Sequence, residues 1–163
     1  MKDRQDQQPS SLVSIIIVTM GDNPLLHECV SSVWEQIACD YELLLVNNSP
    51  SALNIPGEEG VRIIENGCNL GFARAVNRGI EAAGGSLILL LNPDARLTGD
   101  IVTPMKDFLQ SRSSAGIAGA QLVFPDGSLQ NSIDIIPNLI TQFLNKSLLK
   151  ILFPGMYPSK RSG

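Results

Sequence analysis

The chain has 163 residues, of which 44% are apolar and 17% are charged. This length and composition are typical of a globular domain with a buried core, and they exclude a wholly disordered chain. The formal net charge is −4, from 12 basic and 16 acidic side chains. Because there is little excess base for a broad nucleic-acid interface, we expect no nucleic-acid partner.

Cysteine, histidine and long apolar segments are scarce in this chain. Cys29, Cys39 and Cys68 form no closely spaced pair, which indicates reduced thiols in a cytoplasmic protein rather than a disulfide framework. His27 is the only histidine, which excludes a multi-histidine metal site. Residues 1–11 are polar and lack the apolar segment of a signal peptide, so we expect a disordered tail there. The longest apolar runs are far too short to span a bilayer.

The first elements are predicted from two apolar runs and the segment between them. Leu12–Thr19 and Tyr41–Asn47 are nearly continuous apolar runs, typical of strands that a parallel sheet covers on both faces. Between them, Asn23 is a helix cap and Pro24 a first helical residue. Helical spacing predicts these residues on the buried face of that helix: Leu26, Cys29, Val30, Val33, Trp34 and Ile37.

The middle of the chain repeats this pattern with shorter elements. Val61–Glu65 predicts a third strand, and a helix is expected from Phe72 to Ala83, where Gly84 and Gly85 end it. Ser86–Asn92 is the most apolar strand of the chain. The expected inner face of the helix consists of Phe72, Val76, Gly79, Ile80 and Ala83.

The last part of the chain predicts one more strand between two helices. In the first of these helices, Pro104 leaves the starting residue open. Residues 115–124 predict a fifth strand, Pro125–Ser128 a turn, and Leu139–Phe153 an amphipathic helix with two lysines. The side chains of the earlier helix that we expect to face the core are Ile101, Val102, Met105, Phe108 and Leu109.

Strands alternating with helices predict an α/β sandwich with a mainly parallel sheet. In such sheets the ligand binds beyond the carboxyl ends of the strands. Polar clusters follow three strands, at residues 19–23, 47–49 and 92–94. Turn formation explains any one cluster, whereas three clusters that each follow an apolar strand favour a common binding site. Neither a dinucleotide fingerprint nor a P-loop sequence is present.

Asp94 is the most informative carboxylate in these clusters. It directly follows Pro93, which restricts the backbone where the chain leaves the strand. An oxygen ligand in that position suits a hard divalent cation, with water and ligand phosphates completing the coordination shell. An Asx turn or a helix-start acid explains the residue equally well, and from the residues alone both interpretations stay open.

Four segments in order resemble the nucleotide-sugar-binding half of family 2 inverting glycosyltransferases, and most closely the rhamnosyltransferase-like members: SIIIVT, ELLLVNNS, ENGCNLGFARAVNRGI and LILLLNPDARL. The most specific parts are NLGFARAVNRGI and LLLNPDA. The resemblance implies a GT-A fold, a three-layer α/β sandwich of the nucleotide-diphospho-sugar transferase type. We therefore expect a nucleotide-sugar-binding domain over 12–135 and an amphipathic helix with a tail over 136–163.

The resemblance also implies the residues of a site. The loop after the first strand would lie against the nucleoside, and Asn47 stands where the family usually has an aspartate that faces the base. Asn92-Pro93-Asp94 stands at the metal motif often written DxD, which makes Asp94 the implied ligand of Mg²⁺ or Mn²⁺. The implied nucleotide-sugar-binding residues are Thr19, Met20, Gly21, Asn47, Asn69, Gly71, Asn77, Asn92 and Asp94.

The implied reaction is metal-dependent, inverting transfer of a sugar from a nucleoside diphosphate-sugar to a saccharide or lipid-linked acceptor, with rhamnose as one candidate sugar. Such a reaction belongs to polysaccharide biosynthesis, in the cytoplasm or at the inner face of the membrane. The sequence departs from the family in its first loop, where Met20-Gly21 replaces Tyr-Asn, and at Asn47, which replaces the usual aspartate.

The largest departure is the catalytic base, which in the family follows the region matched here. The chain has no Asp or Glu after Asp134, so the sequence identifies no catalytic residue. We therefore expect the donor-binding part of a longer protein with the C-terminal part missing, a degenerate protein, or one that a partner completes. The alternative function is a non-catalytic donor-binding or interaction protein with this fold. The lysines of Leu139–Phe153 also allow weak contact with an anionic membrane surface.

Overall fold

The chain forms two compact units, Met1–Ala118 and Gly119–Gly163. In the computed structural model, the described residues are 12–55 and 60–118 of the first unit and 119–130 of the second. The expected tail at residues 1–11 and the expected helix at Leu139–Phe153 lie outside these ranges. Within the described ranges, no helix has the length and apolar character needed to cross a membrane.

The first unit is built on one parallel sheet. Its elements in chain order are β1 Val13–Thr19, α1 Pro24–Gln36, β2 Tyr41–Asn47, β3 Val61–Glu65, α2 Phe72–Ala82, β4 Leu87–Leu91 and α3 Val102–Ser111. The strand order is β3-β2-β1-β4, and all three neighbouring pairs are parallel. The predicted α/β class and parallel sheet are therefore confirmed, and the element order agrees with the prediction as far as α3.

The two central strands, β1 and β2, are buried on both faces of the sheet because most of their residues are apolar. Successive side chains of a strand point to opposite faces. Ile15 and Ile17 of β1 therefore join Leu26 and the other buried residues of α1 in one core cluster. Ile16, between them, joins a second cluster with Ala75 of α2. The helices on both faces make three layers, and this explains why β1 is a nearly continuous apolar run.

Helix α1 begins as the sequence predicts. The Asn23 side-chain Oδ1 accepts a hydrogen bond from the Leu26 N–H at 3.0 Å, and Pro24 is the first helical residue. The expected core position of Trp34 is wrong, because its exposed fraction is 38%. Ser32 is buried instead, since the loop after β4 packs on that side of the helix and Leu97 N–H donates to the Ser32 hydroxyl.

Helix α2 approaches the sheet most closely at Gly79. A Cβ atom there would lie 2.7 Å from Cγ2 of Ile16, so any larger residue would push the helix away. The buried face is therefore centred on Ala75, Val76 and Gly79. The predicted inward positions of Phe72 and Ile80 are wrong, since these side chains are 62% and 44% exposed.

Helix α3 begins at Val102, so Pro104 lies in its first turn, where its missing N–H costs little. The carboxylate of Asp100 accepts hydrogen bonds from the N–H groups of Val102 and Thr103, both at 3.0 Å. Val102 is buried as predicted. The expected burial of Phe108 is wrong, because the side chain is exposed and its ring contacts the Arg112 guanidinium, 4.8 Å from the ring centroid.

The described residues of the second unit form a tight turn. Val123 and Leu129 make an isolated antiparallel bridge, and the Phe124 N–H donates to Ser128 O at 2.8 Å. The predicted turn at Pro125–Ser128 is thus confirmed. The predicted strand over 115–124 is wrong: this bridge is the only strand pairing among its residues. Its glycines weaken any intrinsic preference for an extended strand.

Candidate functional site

The polar clusters predicted from the sequence follow the carboxyl ends of neighbouring parallel strands. Thr19 at the end of β1 is in register with Asn47 of β2, which is in register with Glu65 of β3. On the other side of β1, Leu91 ends β4 opposite Ile17. The strand order reverses between β1 and β4, so this edge carries the crevice in which α/β sheets bind ligands.

The loop after β1 is held in shape by its own polar groups. The buried Thr19 hydroxyl donates to Gly21 O at 2.7 Å, and Thr19 O accepts from the Asn48 N–H at 2.7 Å. Gly21 has φ of +93°, a conformation that favours glycine, and a Cβ there would lie 3.3 Å from the Ser49 hydroxyl. The Thr19 side chain is therefore committed to the turn, and Met20 is exposed.

Asn48 joins this loop to the segment before α2. Its Oδ1 accepts from the Asn66 side chain at 3.0 Å and from the Leu70 N–H at 2.9 Å, and its Nδ2 donates to the Asn69 side chain at 3.0 Å. The sequence marks Asn48 only as a member of a turn cluster. Its role depends on contacts between residues about 20 positions apart, which no local pattern reveals.

Asn47 is fully buried at the centre of this edge, with an exposed fraction of 0%. Its Nδ2 donates to Ser51 O at 2.7 Å and to Glu65 Oε2 at 2.6 Å. Its Oδ1 is the one buried side-chain nitrogen or oxygen atom in the described ranges that has no hydrogen-bond partner. Such an atom is costly unless a ligand or water pairs with it.

The rim is the set of loops that follow the carboxyl ends of β1, β2 and β3. Of the three site residues predicted around α2, the structure brings Asn69 and Gly71 to this rim. The Asn69 side chain accepts from the Gly71 N–H at 2.8 Å, and Gly71 has φ of +81° where the chain enters α2. Asn77 is exposed farther along the helix, and it has no hydrogen bond to the rim in the part of the chain that the structure describes. The geometry therefore links Asn69 and Gly71 to the strand ends and leaves Asn77 apart.

Helix α1 holds the loop after β4 at both ends. The Cys29 thiol donates to Asn92 O at 3.4 Å, and the Ser32 hydroxyl accepts from the Leu97 N–H at 3.0 Å. The side chains of Asn92 and Asp94 between these anchors are exposed. The loop thus presents the Asp94 carboxylate to solvent at the carboxyl edge, from a backbone that the core restrains.

Asp94 suits a metal site that water and phosphate oxygens complete, and not a site built from several protein side chains. No group of three or more potential metal ligands occurs among residues 12–55 and 60–130, so these residues form no metal site from side chains alone. Mg²⁺ often binds through one or two carboxylates, with water and substrate phosphates as the remaining ligands. An exposed carboxylate on a restrained loop is suited to that second arrangement.

Cys29 lies beneath this loop as an unreactive thiol. Burial, together with the negative charge of Asp94, raises the pKa of Cys29 to about 12. Because the thiolate is the reactive form, Cys29 stays inert at neutral and mildly basic pH. Cys68, in contrast, is exposed.

We expect alkylation at about pH 8 to modify Cys68 rapidly and Cys29 only after unfolding, because reaction requires both access and thiolate. Mass spectrometry of peptides from native and denatured samples measures both rates. Cys68→Ser is the matched control and should remove the fast phase. Rapid modification of Cys29 in the folded protein would contradict the buried position of its thiol.

Asp22 and His27 form a second polar contact at the start of α1. The His27 ring Nε2 lies 2.5 Å from Asp22 Oδ1, and both side chains are partly exposed. Together with Asn23 and Pro24 they line a shallow surface depression. This contact ties Asp22 to the helix.

Comparison with known proteins identifies a family model and two kinds of relative. The model of glycosyl transferase family 2 matches residues 14–162. N-acetylglucosaminyl-diphospho-decaprenol L-rhamnosyltransferase of Mycobacterium tuberculosis (strain CDC 1551 / Oshkosh) is 26% identical over 147 residues, which cover 80% of this chain and 48% of that protein. The chain thus spans about half the length of the curated relatives it matches.

Two crystal structures of S. aureus TarS have a similar fold. The first matches with a TM-score of 0.51 and 14% identity, covering 61% of this chain and 19% of TarS. TarS 1-349 in complex with UDP matches with a TM-score of 0.51 and 13% identity, covering 67% of this chain and 38% of that one. At these identities the likeness shows the fold alone, and the predicted GT-A fold is confirmed.

Proposed function

The chain belongs to glycosyl transferase family 2, and from this we propose that its carboxyl edge binds the nucleoside diphosphate-sugar donor of a glycosyl transfer reaction. One observation carries the proposal. The loops after β1, β2 and β4 lie at one edge, on both sides of the point where the strand order reverses. That crevice is where parallel sheets bind nucleotides.

The nucleoside end of the donor is assigned to the loops after β1 and β2. The Asn47 Oδ1 has no protein partner in the described ranges, but it is fully buried, so the donor reaches it only if the surrounding loops open. Gly21 and Gly71 allow the backbone to turn with little bulk, and Met20 supplies an exposed apolar side chain next to Gly21. In this arrangement Thr19 shapes the loop through its hydrogen bond to Gly21 and does not itself contact the donor.

The diphosphate end is assigned to the loop after β4. Asp94 would hold a divalent cation, Mg²⁺ or Mn²⁺, as the carboxylate ligand among water and phosphate oxygens. When bound, the cation neutralises the charge that develops on the departing nucleoside diphosphate. The chain's own contribution is to fix the carboxylate, because the bond from Cys29 to Asn92 O and the bond from Leu97 N–H to Ser32 restrain the loop.

The complete reaction is proposed as inverting transfer, in which an acceptor hydroxyl attacks the sugar carbon on the face opposite the leaving group. The matched rhamnosyltransferase is named for a lipid-linked acceptor. By analogy we assign rhamnose as the first donor sugar to test, and a saccharide or lipid-linked acceptor at the cytoplasmic face of a membrane. The present chain would contribute the donor-binding part of this reaction.

Calorimetry with nucleoside diphosphates and their sugar conjugates tests the proposal. We expect at least one of the uridine, thymidine or guanosine compounds to bind with a dissociation constant in the micromolar to millimolar range, about −8 to −4 kcal/mol, and more tightly with Mn²⁺. The matching nucleoside monophosphate is the control, because it lacks the second phosphate that the cation requires. Absence of binding by every compound, with either metal, would refute the proposal.

Donor hydrolysis separates an enzyme from a non-catalytic donor-binding protein, since hydrolysis requires no added acceptor. Metal-dependent release of the nucleoside diphosphate would support a catalytic role. Tight donor binding without hydrolysis or transfer, even after addition of candidate lipid-linked acceptors, would favour the alternative of a binding protein with this fold.

A further inference from the structure

Ser32 is a buried serine of α1 to which neither its sequence context nor the comparisons give a role. Its exposed fraction is 1%, and that of Leu97, which it meets in the loop after β4, is 6%. The Ser32 hydroxyl donates to Cys29 O at 2.7 Å and accepts from the Leu97 N–H at 3.0 Å. Because its one hydrogen is directed at Cys29 O, its oxygen is oriented as a fixed acceptor for this loop.

The loop that Ser32 contacts carries Asp94 in a tight turn. Asn92 O accepts a hydrogen bond from the Ala95 N–H at 3.1 Å, and this bond closes the turn in which Asp94 lies. Leu97 follows two residues after the closing bond. The position of the exposed Asp94 carboxylate relative to the sheet therefore depends on the contacts that fix the two ends of the loop, at Asn92 and at Leu97.

The two ends of this loop differ in how they depend on α1. Asn92 O accepts from the Cys29 thiol at 3.4 Å, but the bond from the Ala95 N–H pairs this oxygen even without the thiol. The buried Leu97 N–H has only the Ser32 hydroxyl as a partner in the described ranges. Packing of the Leu97 side chain is non-directional and does not pair this N–H. Without the hydroxyl, this end of the loop would therefore shift until its N–H finds another acceptor.

We propose that Ser32 is a positioning residue for the Asp94 carboxylate, and that the metal-dependent part of donor affinity requires its hydroxyl. This inference rests on the proposed donor-binding function. Metal–ligand distances are tolerated only within about 0.2 Å, so a small shift of the loop is enough to weaken coordination. Replacement of a residue that orients a metal ligand typically lowers metal affinity by about 10–100-fold.

A positioning role for Ser32 differs in its effects from a general role in stability. A displaced Asp94 loop should reduce the gain in donor affinity that Mn²⁺ provides. It should leave the affinity without metal nearly unchanged, because the nucleoside end of the donor is assigned to the loops after β1 and β2. A purely structural defect would weaken binding with and without Mn²⁺ to a similar degree.

Calorimetry of Ser32→Ala with UDP, dTDP and GDP, each with and without Mn²⁺, tests the inference. For the compound that wild-type protein binds, we expect the ratio of the affinities with and without Mn²⁺ to fall by about tenfold. The affinity without Mn²⁺ should stay within about twofold of the wild-type value. Ser31→Ala is the matched control, because Ser31 is the neighbouring serine on the exposed side of α1, and it should change neither value.

Hydrogen exchange of the protein without metal or nucleotide provides an independent measurement. The Leu97 amide is buried and bonded to Ser32, so it should exchange at least about tenfold faster in Ser32→Ala than in Ser31→Ala. Ser32→Cys serves if urea unfolding shows that Ser32→Ala does not fold. Its side chain is similar in size, but sulfur is a weak acceptor, so the same losses are expected in a smaller degree.

An unchanged Mn²⁺ ratio in a folded variant at Ser32 would overturn the inference. Equal weakening with and without Mn²⁺, or unchanged exchange of the Leu97 amide, would overturn it as well. Each of these results leaves donor binding by the wild-type protein intact. Failure of the wild-type protein to bind any of the three nucleoside diphosphates would instead refute the proposed function, and the role of Ser32 with it.

Discussion

Replacement of Asp94 by alanine should remove the Mn²⁺ dependence of donor binding and weaken the metal-dependent affinity by about 100-fold. The side chain is exposed on a loop that the core restrains at Asn92 and Leu97. The substitution therefore removes a metal ligand and leaves the packing of the core almost unchanged. The free energy of unfolding should stay within about 0.5 kcal/mol of the wild-type value, as for most exposed substitutions.

Calorimetry of the Asp94 variant with and without Mn²⁺ measures this effect, and urea unfolding of the same protein provides the stability check. Asp107→Ala is the matched control, because Asp107 is also an exposed aspartate and lies on α3. If the alanine variant of Asp94 still binds the donor more tightly with Mn²⁺ than without it, Asp94 is not the ligand, and the assignment of the diphosphate end is wrong.

The second large effect is expected from Asn47→Asp, which introduces the residue that the family usually has. In this chain the new carboxylate would be fully buried and would lie beside Glu65 Oε2, at the present position of the amide nitrogen. Two like charges would replace the bond to Glu65, although water screens part of the repulsion because Glu65 is exposed. Ser51 O would also lose its donor and face a carboxylate oxygen. We expect a loss of about 2–4 kcal/mol in the free energy of unfolding.

The double variant Asn47→Asp with Glu65→Gln should recover part of that loss, because the glutamine N–H group can donate to the new carboxylate while Ser51 O stays without its donor. Urea unfolding of both single variants and the double variant gives the coupling energy directly. Asn77→Asp, an exposed position on α2, is the control and should change stability by less than about 0.5 kcal/mol. Additive effects of the two changes would contradict a direct interaction between residues 47 and 65.

The strands and their common edge are predictable from this sequence because the signals are local. β1 and β2 are nearly continuous apolar runs, since both of their faces are covered. Asn23 and Pro24 specify the start of α1 through short-range geometry. Parallel pairing then places the polar strand ends at one edge without further information.

Features that depend on distant pairs could not be predicted in this way. The contact of Glu65 with Asn47 depends on the register of β2 and β3, and the anchoring of the Asp94 loop depends on α1 packing beside β4. Helical spacing alone also misplaced Phe72 and Ile80, because the inner face of α2 is set by the close approach of Gly79 to the sheet. The absent fifth strand shows the same limit, since an extended segment requires a partner.

The hydrogen bonds of Asn48 have a consequence for motion at this edge. One residue joins the end of β1, the end of β2 and the segment before α2, through its backbone N–H and both polar atoms of its side chain. A displacement of Asn48 itself breaks its bonds to Thr19 and to the segment before α2 at once. Local unfolding that moves Asn48 therefore loosens the loops at this edge together.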